Sequence, residues 1–192
     1  MNQMFKIINR GKPKGCRLLA VEGVFTAAGG KNPTELSNLC RLVFKANDTT
    51  GEATKSLTAN LPMSEFPAVL EGAKMAFKDF TTVKNKKFQI LEPQLKPKTS
   101  DTTEDGTLLY SVGIEYDSSR TYPVTITVKN CRGTVTEKED GTLRIIPTSK
   151  EQPYISVFMT AREFYNKLSH VDKMFESWYN NAQAEFYPAK TE

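Results

Sequence analysis

Twice along this chain of 192 residues the spacing of apolar side chains switches from two to about 3.6, and that double switch limits the fold more than any other feature. The first switch follows Leu61. Alternating segments give way there to Phe66, Val69, Leu70, Ala73, Phe77 and Phe80, a stripe along one face of a helix that Ser64 is placed to cap. The second follows Met159. Thr160-Ala161-Arg162-Glu163 has the form of a capping box, in which the hydroxyl and the carboxylate each satisfy an amide at the helix start. Phe164, Leu168, Val171, Phe175, Trp178 and Ala182 then run down one face. Strands followed by a helix, and then the same again, define an α+β chain.

The segments before each helix read as strands. In the first half these are Met4–Asn9, Cys16–Phe25, Leu39–Asn47 and Ala53–Leu61, the last two joined as a hairpin by Asp48-Thr49-Thr50-Gly51-Glu52. In the second half they are Phe88–Glu92, Leu108–Asp117, Thr121–Asn130, Gly133–Lys138, Thr142–Pro147 and Tyr154–Met159, with Asp140-Gly141 as a turn signal. Pro93–Thr107, rich in Pro, Thr and charge, reads as a connector or long hairpin loop. Val124, Ile126 and Val128 alternate with Thr125, Thr127 and Lys129, the mark of a strand with one buried face.

The two helices also align. Phe66 matches Phe164, Leu70 matches Leu168, Ala73 matches Val171 and Phe77 matches Phe175, while Leu61 and Met159 end the strands before them. The expectation is a single pseudo-symmetric domain over 1–192. Its two repeats, about 4–82 and 88–183, are each an antiparallel sheet of about four strands followed by one α-helix.

Several classes of function lack their residues. There is no G-x-S-x-G, P-loop or H-E-x-x-H pattern, and His170, the one histidine, has no nucleophile motif to serve, so no enzyme is expected. The acidic run Asp101-Thr102-Thr103-Glu104-Asp105 lacks the alternation of a calcium loop, and no metal or cofactor is expected. Cys16, Cys40 and Cys131 are odd in number and far apart, as buried reduced thiols of a cytoplasmic protein would be. No apolar run approaches the roughly 18 residues of a membrane span, and Met1–Arg10 does not read as a signal peptide.

Charge is uneven. Residues 1–98 hold 16 Lys/Arg against 8 Asp/Glu, whereas residues 99–192 hold 10 against 14. A positive first half can draw a polyanion. Binding a single strand takes cations along its backbone and flat aromatic faces for its bases. Lys6, Arg10, Lys12, Lys14, Arg17, Arg41, Lys45 and Lys55 are the candidate phosphate contacts, and Arg41, Val43 and Lys45 share one face of a strand. Phe5, Tyr110, Tyr116, Tyr122 and Tyr154, in or at the ends of strands, are the candidate stacking residues. Lys84-Asn85-Lys86-Lys87 adds a basic patch after the first helix.

Two repeats of about four strands and a helix, from Met4 to about Gln183, resemble the whirly-type single-stranded DNA-binding fold and the related transcriptional-cofactor-type proteins. The lysine-glycine-lysine-alanine signature of the plant members does not occur; Arg10-Gly11-Lys12-Pro13-Lys14-Gly15 is the nearest text. The resemblance implies sheets that bind single strands, and helices that pair in the core or at a subunit contact. The function expected is non-catalytic, sequence-tolerant binding of single-stranded DNA or RNA, with DNA the first choice. The aromatic C-terminal helix is the candidate contact for a homo-oligomer. The alternative is a protein-interaction or assembly module of a mobile element or phage, built on that same helix and without nucleic-acid binding.

Overall fold

Leu42, Phe44 and Ala46 are buried while Arg41, Val43 and Lys45 between them are not, so the alternation in the sequence is the pleat of a real strand. The structure, a computed structural model, describes residues 3–8, 17–26, 40–50, 55–82, 86–148 and 152–186, and side chains from residue 19 to residue 182. In the first half, β1 (Gln3–Ile8), β2 (Arg17–Phe25), β3 (Arg41–Asp48) and β4 (Lys55–Pro62) form an antiparallel sheet in chain order. Helix α1 (Phe66–Thr82) follows. It begins two residues after the expected cap, because backbone bonds close the turn: Glu65 N donates to Pro62 O at 3.1 Å and Phe66 N to Met63 O at 3.3 Å. Ser64 is left exposed in that turn.

The second half contains β5 (Lys87–Leu91), β6 (Lys96–Thr103), β7 (Gly106–Asp117), β8 (Val124–Glu137), β9 (Leu143–Pro147), β10 (Tyr154–Met159) and α2 (Ala161–Phe186). β5 and β6 pair with successive parts of β7, and β10 and β9 with successive parts of β8. The second sheet is therefore a four-stranded meander like the first, with each edge strand interrupted once. At the start of α2, Glu163 N donates to Thr160 Oγ1 at 3.1 Å, as the capping motif requires.

Two sequence expectations are corrected here. Pro93–Thr107 is not a connector, because it contains β6, whose hairpin with β7 closes at Gly106. Gly106 has φ 107°, in the left-handed region, and a Cβ there would lie 2.7 Å from the carbonyl oxygen of Gly133, so the turn needs glycine. Thr121–Asn130 and Gly133–Lys138 are not two strands. β8 runs through Cys131 and Arg132, which pair with Leu109 and Leu108 of β7. Leu109 and Cys131 are buried in this extension, apart from the main core.

The contacts between the halves repeat each other. β4, the strand before α1, packs on β7 and β8 in the middle of the second sheet; β10, the strand before α2, packs on β2 and β3 in the middle of the first. In the same way α1 lies against β5 and α2 against β1, and the two helices lie against each other. Exchanging the halves leaves this pattern unchanged, which is an internal pseudo-two-fold. One continuous core results. Leu61, Phe66 and Ala73 of the first half bury with Met159, Phe164 and Val171, their counterparts in the second. Phe77 stacks on Tyr165 between the helices (5.2 Å between centroids), and Phe25 meets Phe175 edge to face at 5.1 Å. The free edge of β4 is covered as well, since Thr58 N donates to Asn130 Oδ1 of β8 at 3.2 Å.

Candidate nucleic-acid interface

Each sheet turns one face to the core and leaves the other outward. On the first sheet, the outward residues of β3 include exposed Arg41 and half-buried Lys45. Lys45 is not free, because its Nζ lies 2.6 Å from Glu22 Oε2 on β2. Lys55, also exposed, starts β4 opposite Asp48 and shares the alternation of buried Leu57, Ala59 and Leu61, so it does not join Arg41 and Lys45. Lys6 stands in register with Glu22, and Arg17 with Asp48. Arg10, Lys12 and Lys14 lie outside the described residues, as does Lys84 of the basic patch. Lys87 of that patch is 3.8 Å from Asp117.

The expected stacking residues separate sharply. Tyr116 is fully buried and donates to Asp79 Oδ2 at 2.8 Å, and Tyr110 packs against the core. Tyr116 therefore cannot meet a base, while Tyr110 is half-buried at the seam between the sheets. Phe5 lies in β1, where side chains are not described. Tyr122 and Tyr154 are 53% and 63% exposed, and Phe158, which sequence reasoning passed over, is 45% exposed. The signal for Phe158 was present: Ile155, Val157 and Met159 form the apolar set of β10, which leaves Tyr154, Ser156 and Phe158 on its outward face.

That outward row borders a groove. Tyr154, Ser156 and Phe158 stand in register with Lys129, Thr127 and Thr125 of β8, and those three residues line a shallow depression of about 310 Å³ on the second sheet. Gln89, Glu92 and Pro93 form its far side, with Gly113 and Glu115 of β7 between. A Cβ at Gly113 would lie 3.1 Å from Pro93 Cβ, so glycine allows the interrupted edge to close over the sheet. A smaller cavity of about 80 Å³, at the seam where Asn60 of the first sheet meets Tyr110 and Ser111 of the second, shares Glu92 with the groove. The Lys96–Glu65 ion pair lines the same seam.

Electrostatics at the groove are mixed. Arg120 Nη1 lies 3.0 Å from Glu115 Oε1 and donates to Thr125 Oγ1 at 2.9 Å, while its Nε is 3.3 Å from Asp117 Oδ2. Hydrogen bonds from the Ser119 hydroxyl and amide, with Arg120 and Lys87 nearby, hold the Asp117 carboxyl below its ordinary range. Thr127 Oγ1 and Ser156 Oγ are 2.9 Å apart, and Gln89 Nε2 donates to Leu91 O at 2.9 Å.

Glu22 and Glu115 occupy matching places, each on the second strand of its meander, and each is held by a cation, Lys45 or Arg120. The fourth strands of the two halves differ. Where β10 presents Tyr154, Ser156 and Phe158, β4 presents Ser56, Thr58 and Asn60. Among the described residues, no cluster of His, Cys, Asp and Glu could hold a metal ion, and no helix is long and apolar enough to cross a membrane.

The chain is thus an α+β protein of two antiparallel sheet-and-helix halves about a pseudo-two-fold, with an aromatic-edged groove on one sheet. No protein-family model matches it, and no curated protein is found to be similar to it. Among solved structures it is similar to a chain of one described as "Structure of a guideRNA-binding protein complex bound to a gRNA". The likeness has 10% sequence identity and a TM-score of 0.38, and covers 92% of this chain and 93% of that one. At that score it defines no ligand for this chain.

Proposed function

We propose that this protein binds single-stranded nucleic acid without catalysis, using the outward face of its second sheet to stack bases and its basic surface to neutralise phosphates. One observation carries the reading: Tyr154 and Phe158 stand exposed on one face of β10, beside a polar groove. Exposed aromatic side chains separated by a hydroxyl are costly surface for a protein that stacks nothing on them, and bases are flat partners of sufficient area. Four residues of strand separate the two rings by roughly 13 Å, a span that an extended single strand crosses with an intervening nucleotide. The two meanders and paired helices are also the arrangement that the whirly-type resemblance implies. Arg41 and Lys45, together with Lys6, Arg10, Lys12, Lys14, Arg17 and Lys55, remain the proposed phosphate contacts.

The test is fluorescence anisotropy of a labelled single strand of about 30 nucleotides, long enough to span the site, at low and moderate salt. Wild-type protein is expected to bind, more weakly as salt rises and more weakly to duplex. Replacing both Tyr154 and Phe158 by Ala removes two platforms worth about 1–3 kcal/mol each, so affinity should fall at least tenfold. Undiminished affinity in a folded double variant would sink this interface.

An assembly role has one observation of its own. Leu143 and Ile146 of β9 are 51% and 44% exposed at the edge of the second sheet, a strand that pairs on one side with β8. Of the aromatic residues of α2 with described side chains, Phe164 and Trp178 are buried and Tyr165, Phe175 and Tyr179 pack on the core. Ile146→Lys should dissolve any self-association seen by sedimentation if that edge is the contact.

A further inference from the structure

We propose that the groove on the second sheet is a base-reading subsite for a nucleobase with an exocyclic amine, cytosine first, rather than a featureless stretch of the path. This rests on the single-strand reading above and makes it more specific. The groove measures about 310 Å³, near the lower limit of small-ligand sites (roughly 300–1,000 Å³), so it suits one flat heterocycle rather than a larger ligand. Its position matters as much as its size. It lies over β7 and β8, next to β10, and its β8 wall (Thr125, Thr127 and Lys129) is in register with Phe158, Ser156 and Tyr154, so a nucleotide between two stacked bases would pass beside it.

The lining sets the preference. Glu92 and Glu115 bring carboxylate oxygens, which accept hydrogen bonds; Arg120 already engages Oε1 of Glu115, so the acceptors open to a base are the other oxygen of Glu115 and the Glu92 carboxylate. Gln89 gives one amide proton to the Leu91 carbonyl and keeps its oxygen as a further acceptor, with one proton left to donate. Thr125 Oγ1 already accepts from Arg120 and so has its own proton to donate, while Lys129 supplies the cation of the lining. A groove that offers carboxylate acceptors and the Lys129 cation suits the edge of cytosine, an amine followed by two acceptors. Thymine and uracil put a carbonyl oxygen where that amine stands, against the carboxylates. The backbone stays outside, turned away from the acids.

The experiment compares labelled oligo-dC and oligo-dT of equal length, above neutral pH so that cytosine is uncharged, with the full chain and with Glu92→Gln and Glu115→Gln. Oligo-dC is expected to bind about five- to tenfold more tightly than oligo-dT. That ratio should contract towards one in the Gln variants, which exchange an acceptor for a donor. Equal affinities in the wild type, with binding still lost in the Tyr154→Ala/Phe158→Ala protein, overturn the subsite and leave the single-strand reading standing. A preference that persists in both Gln variants overturns the groove as its source. No binding of either oligonucleotide at low salt overturns both proposals.

Discussion

Tyr116 on β7 donates its hydroxyl proton to Asp79 Oδ2 on α1 at 2.8 Å, with the tyrosine fully buried and the aspartate 6% exposed. This bond ties the helix of the first half to the sheet of the second, at a place where a carboxylate would otherwise stand alone in the core. Tyr116→Phe keeps the ring and its contact with Phe88 but strands Asp79, at a cost of about 1–3 kcal/mol. Chemical denaturation of the two proteins would measure it.

The same pair gives a pH dependence. Burial first, and the Asp79 carboxylate next, push the Tyr116 phenol well above the ordinary tyrosine range. The folded protein thus keeps a proton that the unfolded chain releases near pH ~10, so stability is intact below that pH and declines as pH rises past it. Tyr116→Phe should show a shallower alkaline decline than wild type in thermal melts. Identical slopes would contradict the assignment.

Arg41 and Lys45 share a face but not a state. Glu22 already neutralises Lys45, whereas Arg41 is exposed at the start of β3. If the first sheet contacts phosphate, Arg41→Ala should reduce the slope of log affinity against log salt by about one, and Lys45→Ala by less. Glu22→Gln releases Lys45 and should strengthen binding. Anisotropy at several salt concentrations reads all three.

The β6–β9 extension should open separately from the core, because Leu109 and Cys131 bury within it and outside the main cluster. Gly106→Ala places a side chain at φ 107° and against the Gly133 carbonyl, a strain of about 1–3 kcal/mol. Hydrogen exchange should accelerate in β6 and β9 while α1 keeps its protection. Equal loss in α1 would show that the extension is not a separate unit.

Burial pushes the thiols of Cys40 and Cys131 above the usual cysteine range. Both should resist alkylation in the native protein and react in denaturant, as peptide mapping would show.

Local patterning made much of this protein legible. The alternation of β3, β8 and β10 and the stripes of both helices each obey one period with one buried side, so strand, helix and core face could be read from spacing. The capping box at Thr160 is likewise local. β6 was missed because Lys96–Thr103 has no apolar alternation: it lies on the edge of the extension, where pairing with β7 rather than burial fixes the strand. Its turn signal, Asp105-Gly106, was the same one used correctly at Asp140-Gly141.

What the sequence determined alone was the two strand-then-helix halves and the inward faces of the patterned elements, because each of these is set within a few residues of the chain. Only the tertiary structure decided which outward residues meet. Cations dominate the first half, and exposed aromatic residues border the groove of the second sheet, where Phe158 joins Tyr154. Tyr116, an equally good aromatic in the sequence, is withdrawn into the core by a helix 37 residues away. Pairing across strands and packing between halves join residues remote in the chain, and no local period records those distances.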